Sequence, residues 1–382
     1  MDDRSNDLFQ SEVESIDHSQ ALNAIDPLRC DRWLALSAMQ KSIRRGDGLT
    51  AQRALATLYR NDPSSTWRRL LIIVCEDIGI AALRAVVTTA TRCANAKALR
   101  EMGKDEAAVL ATARMLAEAP KDRSADSLFA VVLHDPALET MRSKCRSVSV
   151  ARRLEFVADP TLSLPERALA VWHSSGVESW GEQRVGPGDL GALMQTYAEL
   201  GVPERLLEAV AVAIRRAREP FPLLLPLLWL AAAGSESELL GSPLAPSGLI
   251  NGVPLYALDR HTRLGRQAIK RFAQENAEIS QFLTKRGCDS RDDGALRMAV
   301  FYADGALTRP TLRWRHSAEL TAAGVAADFH KVQVAADVGA ELVELVAAHI
   351  ADLDSIRIQL LSRACRLSAD QTGHLSSLGT AP

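Results

Sequence analysis

Apolar residues recur every three or four positions along most of this chain, and the two-residue alternation of a half-buried strand is almost missing. The first firm helix is predicted over 31–45, where Trp33, Leu36, Met39 and Ile43 keep helical spacing and Gly46-Asp47-Gly48 supplies the stop. A second follows over 50–59. The turn Asn61-Asp62-Pro63-Ser64-Ser65 then offers a cap for a third over 66–76. The same periodicity predicts helices over 81–97, 104–119, 125–133, 136–149, 166–173, 190–200, 203–218 and 223–233. Further on it predicts one long amphipathic stretch over 259–285, with Asp259 as its cap, then helices over 292–301, 317–329 and 335–363. The last carries a seam of Leu342, Val346, His349, Leu353, Ile356 and Leu360. It covers under three heptads, which suits a bundle helix better than a coiled coil.

These elements predict an all-α, multi-helix bundle. Residues 1–28 are polar and weakly patterned, as in a flexible arm. Residues 29–173 form a first helical domain, and 174–365 a second helical region behind the Gly- and Ser-rich stretch 174–189. Residues 366–382 read as a polar tail. The longest apolar run, from Phe221 to Ala233, contains Pro222 and Pro226 and falls short of the ~20 residues of a spanning helix. No membrane association is expected. The acidic start Met1-Asp2-Asp3 is unlike a secretory leader.

Composition narrows the function little. The formal net charge is −2, so nucleic-acid binding would have to come from local patches. The six cysteines show neither CxxC spacing nor a neighbouring His cluster, which points to buried thiols, no metal, and a reducing, cytoplasmic setting.

Two basic clusters stand out. Lys41, Arg44 and Arg45 lie at i, i+3 and i+4 in the last turn of the first helix, where cations complement the helix dipole. Arg68 and Arg69 follow the capping turn at the start of the third helix. The second cluster is Arg260, His261, Arg263, Arg266, Lys270 and Arg271, within which Arg263, Arg266 and Lys270 form a stripe at i, i+3 and i+7. Such stripes meet phosphate backbones or acidic partners without reading sequence. Each could equally be a solvated face. Glu76 and Asp77, set among apolar residues and followed by Gly79, predict an internal ion pair to Arg44 or Arg69. In the patch Arg309, Arg313, Trp314, Arg315 and His316, the indole either stacks on a base or packs in the core. Gly186-Pro-Gly188-Asp-Leu-Gly191 matches a dinucleotide-binding spacing but has no preceding strand, so it reads as a loop ending in a helix cap.

Ser37-Ala-Met-Gln-Lys-Ser-Ile-Arg-Arg-Gly-Asp47, the turn at Asn61-Asp62-Pro63, the pair Arg68-Arg69 and Cys75-Glu-Asp-Ile-Gly-Ile-Ala81 together resemble the C-terminal helical region of the RarA/MgsA family of replication-associated AAA+ ATPases. The resemblance covers roughly residues 31–100. It implies a collar-like helical domain that self-associates, or docks on a partner AAA+ ATPase or replication protein, and supports electrostatic contact with DNA. The motor's G-x-x-x-x-G-K-[ST] does not occur. Gly103-Lys104 is followed by Asp105, and Ala98 stands where the first glycine belongs. No cofactor and no catalytic residue is therefore expected. Two alternatives remain: a mobile-element or phage accessory protein acting as a decoy on host replication or defence machinery, and an enzyme with a site near His261 and Arg263.

Overall fold

The computed structural model describes residues 25–177, 185–241, 244, 246–288 and 293–377, with side chains described to residue 364. Most of the predicted arm, part of the 174–189 stretch and the last five residues lie outside this set. Helices make up 74% of the structure, and the few strands form only two-stranded pairs, so the fold is all-α.

Aspartates set the first three helices. The Asp31 carboxylate accepts the N–H groups of Trp33 and Leu34 and starts α1 (Arg32–Arg45), which ends at Gly46 in the left-handed region (φ 79°). Asp47 caps α2 (Gly48–Asn61). Asp62 caps α3 (Pro63–Ile73), whose first position is the proline that needs no donor there. The helix predicted over 66–76 does not run through regularly. It passes at Val74 into one π-helical turn, Val74–Ile78, then a 3-10 turn, Gly79–Ala82. Single π turns inside helices often mark places where side chains must be re-aimed.

Next come α4 (Leu83–Ala94), α5 (Ala96–Glu101), α6 (Asp105–Glu118), α7 (Ser124–His134), α8 (Glu139–Ser147) and α9 (Val150–Ala158). The sequence reading has no counterpart for α9, although Ser149 caps it. A capping box of Ser163 and Glu166 opens α10 (Leu164–Ser175). Gly188 packs on the end of α10, and Asp189 caps α11 (Leu190–Glu199), so the Gly186–Gly191 segment is a capping loop. Helices α12 (Glu204–Ala217) and α13 (Leu224–Ala232) complete this part.

Strand β1 (Ser237–Leu240) pairs antiparallel with the later β4 (Thr311–Trp314), and β2 (Leu249–Ile250) with β3 (Val253–Pro254). Strand-period patterning does not reveal β1 or β4, because four residues are too few to alternate visibly. The stretch predicted as one helix over 259–285 is two, α14 (Arg263–Glu275) and α15 (Ala277–Arg286), divided at Asn276, whose side chain caps the second. The cap of α14 is Thr262 rather than Asp259. Helix α16 (Gly294–Val300) leads into a second π turn, Phe301–Gly305. After α17 (Ser317–Lys331), the predicted 335–363 helix is also two, α18 (Ala336–Ala348) and α19 (Ile350–Ser377). Helix α19 continues to Ser377 through most of the predicted polar tail. The seam residue His349 sits at the junction, partly exposed, with its ring nitrogens on Glu278 and Asp352.

Two apolar clusters form the interior. The larger takes residues from Leu28 to Leu258, with Trp314, Leu320, Ala327 and Leu361. The smaller gathers Ala268, Ile269, Phe272, Leu296, Phe329, Leu342, Val346 and Leu353. The interior therefore divides near residues 258–268, and not at 174, where the sequence suggests a boundary. Residues 190–228 contribute to the same core as α1 to α10 because their apolar faces close on it.

Two histidines, buried His173 and half-buried His134, carry a pH dependence. Burial first, and then neighbouring cations, push His173 and His134 each down to about 4. The folded state therefore holds them neutral, and the stability this contributes is complete above their unfolded pKa of about 6.5 and lost as pH falls toward 4. Urea unfolding at pH 7.5 and pH 4.5 should show a smaller acid loss in the His134→Gln/His173→Gln variant than in the wild type. An equal loss in both would place the acid sensitivity elsewhere.

Candidate functional site: a buried ionic hub and a basic helix

Helix α1 presents Ser37, Gln40, Lys41 and Arg44 on one face, and that face points inward. Lys41 is 4% exposed and Arg44 3%. Burying charges this far is costly unless each is paired and hydrogen-bonded. The structure supplies the partners from distant parts of the chain.

Arg44 is the centre. Its Nε donates to Asp77 Oδ1 at 2.7 Å, Nη2 to Glu76 Oε1 at 2.8 Å and Nη1 to the Gly305 carbonyl at 2.9 Å. Asp77, fully buried, also accepts from Arg123 Nη1 at 2.9 Å and from Gln40 Nε2 at 2.9 Å. Arg123 reaches on to Asp126. The π turn Val74–Ile78 makes this geometry possible, because the wider turn places two consecutive carboxylates toward α1. Gly79 closes the turn at φ +50°, and a Cβ there would lie 2.8 Å from the Asp122 carbonyl.

A second group forms around Asp259. Lys41 Nζ donates to Asp259 Oδ2 and to Ser37 Oγ, both at 2.6 Å. Gly265 lets α14 approach, since a Cβ there would lie 2.0 Å from the Asp259 carbonyl. A third group forms on the second π turn. Arg45 bonds Asp304 and lies over the Tyr256 ring at 4.5 Å. Arg357 Nη1 donates to Asp304 Oδ2 and Asp354 Oδ1, each at 2.8 Å. Lys41, Arg44, Arg45, Arg123 and Arg357 thus meet Glu76, Asp77, Asp126, Asp259, Asp304 and Asp354 in three neighbouring groups, the first and third joined through the Gly305 carbonyl beside Asp304.

The electrostatics follow the geometry. Burial opposes the charge of Asp77, but Arg44 and Arg123 outweigh it and hold its pKa below the usual carboxylate value. Burial and the adjacent Asp77 push Glu76 up. Burial pushes Lys41 down from the ordinary lysine range, against the pull of Asp259. The short Ser37–Lys41 contact resembles a nucleophile and its base. However, burial raises the Asp259 pKa, and the opposing Lys41 charge outweighs it and holds the carboxyl below its ordinary value, so Lys41 serves as its counter-ion.

This corrects the sequence reading of the first cluster. Lys41, Arg44 and Arg45 do not form a displayed rim; each is neutralised inside the molecule. Of the two arginines proposed as partner to Glu76 and Asp77, Arg44 makes the pair, and Arg69 instead bonds Gln40. Arg68 is exposed and donates to the Ala217 carbonyl at 2.8 Å. Trp314 is buried, with its indole N–H on Ser124 Oγ at 3.2 Å, so it packs in the core and is not a base-stacking platform.

The second cluster divides. Arg260 is half-buried, lies over the Phe301 ring at 4.4 Å and donates to His261 Nε2 at 3.1 Å. Arg271 pairs with Glu275 and donates to Gln359. His261 is exposed, packs edge-on to Phe301 and, with Nε2 accepting from arginine, touches no nucleophile among the described residues. The enzyme alternative gains no geometry here. Arg263, Arg266 and Lys270 remain: all three are exposed on one face of α14, and none makes a hydrogen bond or ion pair with any described residue. Asp304, Arg123 and Arg357 are hub residues that the sequence reading does not assign, and it takes Asp259 only for a helix cap. A usable signal existed for Asp304, since Phe301-Tyr-Ala-Asp-Gly305 repeats the apolar–acid–glycine arrangement of Cys75-Glu-Asp-Ile-Gly79.

Two substitutions separate hub from surface. Arg44→Ala leaves buried carboxylates short of a counter-ion and should cost about 3–5 kcal/mol in urea unfolding, whereas Arg263→Ala should stay within about 0.5 kcal/mol of wild type. Comparable losses in the two would contradict the hub. Gly79→Ala should lower stability by at least about 1–2 kcal/mol from the left-handed backbone alone, read from the same denaturation curves.

Comparison with protein-family models, curated proteins and solved structures matches nothing.

Proposed function

We propose that this chain is a non-catalytic helical accessory protein that holds a polyanion, DNA in the first instance, against α14 through Arg263, Arg266 and Lys270. One observation carries the reading: three exposed cations at i, i+3 and i+7 have no counter-ion among the described residues, in a molecule that pairs its other prominent basic cluster internally. Unpaired cations in a row gain by replacing the condensed counter-ions of a phosphate backbone, and that gain does not depend on sequence.

The resemblance of 31–100 to the RarA/MgsA collar supports a role in assembly, either with further copies of itself or with a partner AAA+ ATPase or replication protein. The resembling segments supply Ser37, Gln40, Lys41, Arg44, Glu76 and Asp77, all of them hub residues. The likeness thus favours a shared folding determinant over a shared contact surface.

Fluorescence anisotropy with single- and double-stranded DNA tests the reading. Three neutralised phosphates predict a log–log salt slope near −2.7 on duplex, a fall of about 40-fold between 50 and 200 mM salt. Arg263→Glu/Lys270→Glu should abolish the binding while leaving the melting temperature unchanged. Binding that ignores salt, or survives the double reversal, defeats the proposal.

A further inference from the structure

A second basic feature lies apart from α14, at the junction of α3, α5 and α12. There a cavity of about 450 Å³ is lined by Asp62, Ser64, Ser65, Trp67, Arg68, Cys93, Ala96, Arg100 and Arg216. Its size falls within the range of small-ligand sites and exceeds what a single bound ion requires.

Of the three guanidiniums, Arg216 is without a described partner, and Arg68 and Arg100 are partly engaged but keep N–H groups to spare. Arg216 is exposed and makes no hydrogen bond or ion pair with any described residue. Arg68 commits one N–H to the Ala217 carbonyl. Arg100 commits Nε to the Ala96 carbonyl at 3.1 Å and lies 3.6 Å from Asp105. The opposing charge is already engaged. Asp62 caps α3 through the Ser65 N–H at 2.9 Å, and Asp105 accepts from Tyr59 and from Trp67 Nε1. Burial pushes the Cys93 thiol up to about 11, so it lines the wall as a neutral group and not as a nucleophile. Three cations therefore face a cavity whose only lining carboxylate, among the described residues, is turned to its own helix.

We propose that this cavity binds a phosphoryl group, free or carried by a small molecule, with its oxygens on Arg68, Arg100 and Arg216. Guanidinium matches phosphate geometry with paired N–H donors, and a dianion satisfies several such groups at once. The hydroxyls of Ser64 and Ser65 on the same wall can donate to remaining oxygens. The site is independent of the α14 stripe and of the DNA reading.

Isothermal titration with inorganic pyrophosphate and with ADP tests it, using the full chain. At least one should bind with a Kd of about 1 mM or tighter. Arg216→Ala should weaken that binding roughly tenfold or more, the loss expected for a charge-assisted contact. Its melting temperature should not change, because Arg216 makes no hydrogen bond or ion pair with a described residue. Arg263→Glu/Lys270→Glu should bind as wild type does, which separates this site from the DNA surface. Tighter binding of ADP assigns the carried phosphate, and tighter binding of pyrophosphate the free one; either supports the site. Failure of both probes to bind, or binding unchanged by Arg216→Ala, overturns it.

Discussion

A carboxylate with no solvent contact has to find its counter-charges within the fold. Asp77 is in that position, and three side chains from two other segments converge on it: Gln40 and Arg44 from α1, and Arg123 from just before α7. Arg44 in turn reaches Glu76 and the Gly305 carbonyl, so one guanidinium ties together three stretches of chain: α1 and the two π turns. Coulomb attraction offsets desolvation only when the geometry is close and the remaining donors and acceptors are filled. The distances here, between 2.7 and 2.9 Å, meet that condition.

The network also lies where the two apolar clusters meet. Helix α1 and the first π turn belong to the larger cluster. Asp304 and Arg357 come from elements that build the smaller one, and Asp259 lies in the turn just before α14. Apolar contact is non-directional and tolerates sliding. Directed ion pairs do not, so the hub fixes one mutual position where hydrophobic burial alone would permit several. This division of labour leaves α14 with a packed inner face and a charged outer one.

Helix ends were legible in the sequence because their causes are local. The turn holding Asp62 announces a start, and Gly46 a stop, within a few residues of where each acts; Asp31 and Asp47 cap their helices by the same local means. The breaks at Asn276 and His349 were not legible, since apolar periodicity continues across both. The fate of Lys41, Arg44 and Arg45 was least legible. Their spacing is the same whether the face meets water or carboxylates, and the deciding partners lie 32 to 259 positions away. Glu76 and Asp77 gave a better signal, because acids enclosed by apolar neighbours must be paired. The same reasoning applied to Asp304 would have found the second half of the hub. Arg263, Arg266 and Lys270 were correctly placed on one face by spacing alone.

Both acidic turns of the hub are wound one residue wider than the helices that enter them. In register terms, each behaves as an insertion of a single residue. Deleting one residue from Val74–Ile78 would let the helix regain its regular pitch, yet every side chain beyond would swing by about 100° around the axis. The acids would leave their guanidiniums, and Gly79 would no longer sit under Asp122. The chain is thus held to a particular length at this point, and shortening the turn by one position removes the wiring even though each residue of the hub is still encoded.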